Sequence, residues 1–468
     1  MLSKNEKNYY NGTLHPMLLL ALVVLICSFF TYIIPAGEFE TITDPVTGIE
    51  SYDPDSFVFI AREPVKPFEM FKDVSLGLQS SSDIIVYLLI AGGMVGVLNA
   101  SGAWNLAVAA ILKKMKGKEA IILIVLMLIF GIYSAYCATF EEYLAIMPLI
   151  LAICITSGYD SLTAIGVVYI SATVGYAGGM TNVFTVGTAQ KIAGLPIFSG
   201  IRYRTIVFGI LMLISIIYVV VKAGHVKKKP GIGAMYEIDK AKNYNRKIDL
   251  ENIPQVKVRH ILVLLSFIAG IVCSVVGTIY MGFYVDELSA VFLITMIVMG
   301  LAAGFGPSRV CKEFGRGCKN MLLPGMMIGL ANCAVLILKQ SHSMDSILYY
   351  MSRQLMQLPD SLVASGMFLF HLIFNIIVPS GSGQARATIP IMVAVADKCG
   401  ISRQVAVLTY QLGDAFTNIM IPTGGEILAA AMICHVPLSK WIRYLLPLFV
   451  LWLMAALVFI IFAVKNGY

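Results

Sequence analysis

The chain has 468 residues, 58% of them hydrophobic and 13% charged, with a mean hydropathy of +0.82; soluble domains hold about 45–50% apolar and about 25% charged residues. That balance marks an integral membrane protein and excludes a disordered chain, a secreted disulfide scaffold and a nucleic-acid-binding protein. The formal charge of +7 does not call for an acidic partner, because the lysines and arginines sit at span ends and in one hydrophilic loop, where bilayer orientation accounts for them.

Behind Lys4 and Lys7, residues 17–36 form an unbroken apolar run. It is longer than the about 7–15 residues of a signal-peptide core and lacks a small-residue cleavage site, so 1–36 reads as a retained anchor span. Residues 37–70 carry Glu38, Glu40, Asp44, Glu50, Asp53, Asp55, Glu63 and Glu69 against Arg62 and Lys66. The positive-inside rule makes this an acidic extracytoplasmic loop and places the N-terminus in the cytoplasm. Residues 84–100 return to Lys113, Lys114, Lys116 and Lys118 at the inner surface. A span at 204–222, a basic cytoplasmic linker at 223–258 and two scaffold spans within 259–306 follow; Arg309, Lys312, Arg316 and Lys319 mark the inner face again. Further apolar runs at 321–338, 361–378, 403–421 and 442–464 complete the set, with the C-terminus outside. The predicted fold is all-α and polytopic, with about nine spans of about 20 residues and two re-entrant hairpins of about 36, in the inner (cytoplasmic) membrane. Most of the cysteines fall inside apolar stretches, and Cys311 and Cys318 have no nearby histidine, so no metal or disulfide framework is expected.

The two halves repeat one another. At an offset of 242, Pro148 and Gly158 fall on Pro390 and Gly400; at 241, PIFSGIRY (196–203) falls on PLSKWIRY (437–444); at 236, Thr181-Asn182 falls on Thr417-Asn418. Charge places the start of the first unit, 71–203, outside and that of the second, 310–444, inside. The units are therefore expected to be inverted repeats, as in many secondary transporters.

Each unit is interrupted twice: SAYCATFEE (134–142) within hairpin 120–156, GYAGGMTN (175–182) within broken helix 160–194, PSGSGQA (379–385) within hairpin 361–396, and GDAFTNIMIPTGG (413–425) within broken helix 403–434. Unpaired backbone groups cost several kcal/mol each in hydrocarbon, so such loops persist only where they line a polar site. Residues 120–156 are too short for two full crossings, so a hairpin entering and leaving by one face fits better. Its returning arm points a positive dipole end into the site.

Asp414, the one carboxylate in 403–421, suits a coupling ion or proton, with a structural pair or a substrate contact as alternatives. Asn182 and Asn418, each after a threonine (Thr181, Thr417), suit substrate or ion contact, with helix capping as the rival. Ser380, Ser382 and Gln384 offer hydroxyls and an amide at a half-helix N-terminus, where capping is again the alternative. Glu141 and Glu142 stand at the matching tip of the first unit; two adjacent carboxylates favour a cationic or zwitterionic substrate, or a proton, over a dianion. His371 reads as a packed residue, and Arg202 and Arg443 as interface anchors.

PAGEFE (35–40), ATFEE (138–142), VPSGSGQA (378–385), GDAFTN (413–418) and IPTGG (421–425) resemble the signatures of the YfcC family within the C4-dicarboxylate anaerobic carrier group of the ion-transporter superfamily. The resemblance runs over nearly the whole chain. It implies an elevator-type secondary transporter, similar in plan to the aminobenzoyl-glutamate and dicarboxylate/citrate carriers, which are homodimers with two hairpins. It also carries Glu141, Glu142, Asn182, Ser380, Ser382, Gln384, Asp414, Thr417 and Asn418 over as polar site positions. Arg386 and Glu426 depart from the family pattern and are expected to face each other as an ion pair; were Arg386 to face the site, an anionic group on the substrate would be favoured.

The expected function is secondary transport of a small amino acid, with a basic one favoured, by exchange or coupled to H⁺ or Na⁺, and with no organic cofactor or resident metal. A C4-dicarboxylate, another carboxylate or a short peptide is the alternative substrate. A channel would need a continuous polar pore, and no HExxH, nucleophile elbow or Walker motif points to an enzyme.

Overall fold

The computed structural model describes residues 15–43, 50–53, 55–137, 140–243, 247–248 and 255–468. Lys4, Lys7, Asp44 and Arg246 lie outside the described residues, as do Ala138 and Thr139 of the first hairpin tip and the side chains of Glu50 and Glu141.

Helix α1 (Pro16–Phe30) starts where Pro16 fixes the backbone and His15 Nδ1 accepts the Met17 N–H at 3.2 Å. It has 15 residues and ends in a turn at 31–34, shorter than the apolar run that announces it. The acidic loop is helical only at its end, from Pro67. It folds into β1 (Gly37–Glu38) paired antiparallel with β4 (Val58–Phe59), and β2 (Thr41–Thr43) paired with β3 (Glu50–Tyr52). Aromatic rings hold this cap down: Phe57 stacks on Tyr349 at 4.0 Å between centroids, and Phe39 on Tyr52 at 5.4 Å. The chain is therefore nearly all-helical, with two small sheets that the all-α expectation lacks.

The main remaining helices are α2 (Pro67–Ser80), α3 (Ser82–Ser101), α4 (Ala103–Lys114), α5 (Glu119–Cys137), α6 (Glu141–Thr156), α7 (Ser161–Gly178), α8 (Thr188–Ile192), α9 (Ile201–Lys228), α10 (Val258–Val276), α11 (Val285–Ala302), α12 (Pro307–Gln340), α13 (Ser343–Leu355), α14 (Asp360–Ile377), α15 (Gly381–Lys398), α16 (Arg403–Asn418), α17 (Gly425–Ile433) and α18 (Leu438–Lys465). Among the described residues, eight helices are long and apolar enough to cross a membrane: α3, α5, α7, α9, α10, α11, α12 and α18. This set differs from the nine expected spans. It includes α5, expected as a hairpin arm, and omits α1 and α16, which have 15 and 16 residues; Gln404, Gln411 and Asp414 also lower the hydropathy of α16. Helix α12 begins well before residue 321, so Arg309, Lys312 and Arg316 ride on its exposed first turns rather than in a loop.

The helices form two groups. In one, α3 packs along α12, with α1, α2 and α11 against the same pair. The contact is backbone to backbone: a Cβ on Gly317 would lie 2.1 Å from the Gly92 carbonyl oxygen, so only glycine fits. In the other group, α7 packs on α5, α9 and α16, and α16 on α14, α15 and α18. The groups meet where α17 touches α12 and α6 touches α3.

Hydrogen bonds sort the ends of the second group. At one end Arg403 Nη1 donates to the Ala193 carbonyl at 3.0 Å, Gln404 Nε2 to the Ser199 carbonyl at 2.5 Å and the Tyr468 hydroxyl to the Gly200 carbonyl at 3.1 Å. At the other, Ser161 N–H donates to Asp239 at 3.0 Å, Lys227 pairs with Glu119 at 2.9 Å and Lys440 Nζ donates to the Ala234 carbonyl. Residues 161–192 and 403–433 therefore run in opposite directions between these ends.

Candidate functional site

The helix interruptions are narrower than the sequence motifs. Gly413 to Asn418 remain helical, and the second broken segment opens only over 419–424. The first opens over 179–182, where Gly179 takes φ +47°, and continues through a π-helical turn, Val183–Gly187. The second hairpin turns over 378–380.

These openings converge on one cavity of about 320 Å³. Its wall takes Phe140 from the first hairpin tip, Tyr169, Tyr176, Phe184 and Thr185 from the first broken segment, Pro379 to Ser382 from the second hairpin tip, and Asn418, Thr423 and Glu426 from the second broken segment. The other group of helices closes it with Ser80, Ser81, Asp83, Tyr284 and Asn332. Aromatic contacts cross these elements: Phe140 lies 5.2 Å from Tyr176, and Phe184 lies 5.0 Å from Tyr284, centroid to centroid. Asn332 Nδ2 donates to Ser80 Oγ and Ser81 Oγ at 2.9 and 3.1 Å. Among the described residues of the wall, Asp83 and Glu426 are the charged ones, and there is no lysine, arginine or histidine.

Ser380, Ser382 and Asn418 therefore face the cavity. Ser380 is the N-cap residue of α15 but its hydroxyl makes no cap hydrogen bond, so it is not occupied by capping. Asp414 lies one layer back, fully buried, with Oδ2 accepting the Tyr176 hydroxyl at 2.6 Å and Oδ1 without a partner among the described residues. Gly381 sits under this pair: a Cβ there would lie 2.2 Å from the Tyr176 oxygen, so a side chain at the hairpin tip would break the Tyr176–Asp414 contact. Thr417 is tied down, its hydroxyl donating to the Gly413 carbonyl at 3.1 Å and accepting from Asn375 at 2.6 Å.

Other sequence candidates point elsewhere. Asn182 is an N-cap residue: its Oδ1 accepts Thr185 N–H at 3.0 Å and its Nδ2 donates to Thr185 Oγ1, so it reaches the cavity only through Thr185. Thr181 donates its backbone N–H to the Ala135 carbonyl at 3.4 Å and does not line the wall. Gln384 turns into the hairpin, its Nε2 3.1 Å from His371 Nδ1. Glu142 accepts the Tyr133 hydroxyl at 3.1 Å within the first hairpin. The expected Arg386–Glu426 ion pair is not formed: Arg386 is exposed on α15 and no ion pair joins it to Glu426, which faces the cavity instead. Residues beyond the sequence motifs complete the arrangement. Asn375 Nδ2 bridges the Asp414 carbonyl at 2.9 Å, Thr417 and Asn418 Oδ1 at 2.7 Å, and Tyr176 carries the link between the broken segments. Among the described residues, no donor reaches the buried oxygens Asp414 Oδ1, Asn375 Oδ1, Gln384 Oε1 and Gln411 Oε1.

Residues 15–465 match the family described as DcuC, C4-dicarboxylate anaerobic carrier. The chain belongs to this family. It is thus a membrane protein of a transporter family. Over 97% of its length it is 28% identical to the "Putative basic amino acid antiporter YfcC" of Escherichia coli, covering 96% of that protein. It is 27% identical to an uncharacterized protein of Haemophilus influenzae, over 81% of this chain and 75% of the other. Among solved structures, the YdaH transporter of Alcanivorax borkumensis aligns over 97% of this chain and 99% of its own, with 14% identity and a TM-score of 0.45. MtrF of Neisseria gonorrhoeae, described with a class of antimetabolite efflux pumps, aligns over 97% and 96%, with 15% identity and a TM-score of 0.45.

Proposed function

We propose that the chain is a secondary active transporter of a small basic amino acid across the cytoplasmic membrane, working by exchange or coupled to H⁺ or Na⁺ at Asp414. The observation that carries this reading is the charge of the cavity wall: Asp83 and Glu426, with no cationic side chain among its described residues. A dianion in that wall would find no counter-charge, whereas an ammonium or guanidinium group meets carboxylates and aromatic faces. The N-terminus of α15, bearing Ser380 and Ser382, suits the carboxylate of the same amino acid. The printed name of the Escherichia coli relative agrees with a basic substrate; the family description favours the alternative, a C4-dicarboxylate.

In this reading the two units are inverted repeats, α5–α6 and α14–α15 are re-entrant hairpins, and the hairpin-bearing group moves against the other in an elevator cycle within a homodimer. The opposite directions of 161–192 and 403–433 and the division into two helix groups support it. The N-terminus is then cytoplasmic and the C-terminus extracytoplasmic. The test is counterflow in liposomes holding the purified protein. Saturable uptake of labelled lysine or arginine that needs an internal basic amino acid is expected. Uptake of succinate without any of lysine or arginine would overturn the substrate assignment.

A further inference from the structure

The wall of the substrate cavity is drawn from both helix groups, and the split decides which contacts a moving site would keep. Ser380, Ser382, Asn418 and Glu426 belong to the hairpin-bearing side, and Ser80, Ser81, Asp83, Tyr284 and Asn332 to the group built on α3 and α12. Each side supplies one carboxylate. Glu426 travels with the hairpin tip, whereas Asp83 stays behind in the first turn of α3. Asp83 is exposed where it lines the cavity, and among the described residues no ion pair engages it.

The α3–α12 group presents its polar residues at two levels. Ser80, Ser81 and Asp83 stand where α2 gives way to α3, Tyr284 precedes α11, and Asn332 lies in the last third of α12. With the acidic loop outside, these are the extracytoplasmic ends of their helices. Beyond them, residues 84–98 of α3 and 321–331 of α12 hold no charged or amide side chain. The next amides are Asn99 and Asn320, which line a second space of about 900 Å³ between the same two groups. Asn99 lies about 24 Å of helix from Asp83, and Asn320 about 18 Å from Asn332. The close contact at Gly92 and Gly317 locks α3 to α12, so the two levels keep their spacing. Among the described residues no carboxylate lines the second space, and Glu313, two turns before Asn320, is paired with Arg316 at 2.8 Å. A site carried from the first level toward the second therefore loses Asp83 and meets no carboxylate in its place. We propose that Asp83 is a face-specific affinity determinant. It holds the ammonium or guanidinium group of the substrate while the site is level with the extracytoplasmic ends, and it makes no contact in the cytoplasm-facing position, where Glu426 alone remains. A basic amino acid then binds more tightly from outside than from inside, which favours its release into the cytoplasm. The inference rests on the basic substrate and the moving hairpin group proposed above.

The test uses the full chain in right-side-out and in inside-out membrane vesicles, each loaded with saturating lysine, with uptake of labelled lysine followed as its external concentration is varied. In the native protein the half-saturating concentration should be lower at the extracytoplasmic face than at the cytoplasmic one. Asp83→Asn should raise it about tenfold at the extracytoplasmic face and less than twofold at the cytoplasmic face. Asp83→Glu, which restores the charge at the same position, should bring the extracytoplasmic value back to within about threefold of the native one; a charge-independent structural role for Asp83 would not give that rescue. An equal rise at both faces, or none at the extracytoplasmic face, would overturn the inference and leave the substrate reading standing. Native vesicles that take up neither lysine nor arginine from either face would instead remove the substrate reading, and this inference with it.

Discussion

Asn182 and Asn418 each follow a threonine at the interruption of a broken segment, yet they are spent differently. Asn182 finds Thr185 three residues on, closes onto its N–H and hydroxyl, and restarts the helix at once. Asn418 has Ile421 at the same spacing, the helix does not resume until Gly425, and its amide oxygen is held by Asn375 from the second hairpin while it faces the cavity. The shared dipeptide marks where a helix stops. What the amide then does depends on the next few residues and on the neighbouring helix, so a matching position in the two segments is not a matching role.

The sharpest way to break this contrast is at the link between the two segments. Asp414→Asn should abolish gradient-driven accumulation in liposomes while leaving substrate-induced thermal stabilisation in place; accumulation at the native level would remove Asp414 from coupling. Glu426→Gln comes next, because it withdraws one of two carboxylates from the wall. It should raise KM for lysine by about tenfold, the loss of about 1.5 kcal/mol expected for a hydrogen bond to a charged group, and an unchanged KM would detach Glu426 from the substrate. The asparagines test the comparison itself. Asn418→Ala should raise KM about fivefold, or about 1 kcal/mol, and Asn182→Ala should leave KM alone while costing about 1 kcal/mol of stability as a lost helix cap. The reverse pattern would exchange their roles.

The smallest effect lies at the rim. The Arg403 guanidinium, 2.7 Å from Asp397, holds that carboxyl below the ordinary carboxylate range. A depressed carboxylate stabilises the fold above its unfolded pKa, near 4, and loses that contribution as pH falls through the folded value. Both partners are nearly half exposed, so Asp397→Asn should cost at most about 0.5 kcal/mol at pH 7 and nothing measurable near pH 2. A loss that persists at low pH would mean that the pair is not its source.

Much of this arrangement was legible in the sequence because interrupted helices announce themselves: glycine, proline and hydroxyl residues inside apolar runs gave the openings to within a few residues. The cavity-facing Ser380, Ser382 and Asn418 follow from that signal, as does Asp414. Tyr176, Asn375, Tyr169 and Phe184 did not stand out, since an aromatic or amide side chain in a membrane helix looks like packing until the partner 238 residues away is known, as for Tyr176 and Asp414. Charge alone points Glu426 at Arg386, but α15 turns Arg386 to the surface, which no local pattern reveals. The short strands within 37–59 carry no sequence signal, because two- and three-residue strands have no periodicity to read.

The central claim is that the second hairpin tip and both broken segments wall a single acidic cavity that receives a basic amino acid. A structure of the protein determined with saturating lysine tests it most directly. The account predicts ligand density in the cavity of about 320 Å³, with its carboxylate at Ser380 and Ser382 and its side-chain ammonium toward Glu426 or Asp83. Lysine bound at any other place, with that cavity empty in a preparation that transports it, would contradict the claim.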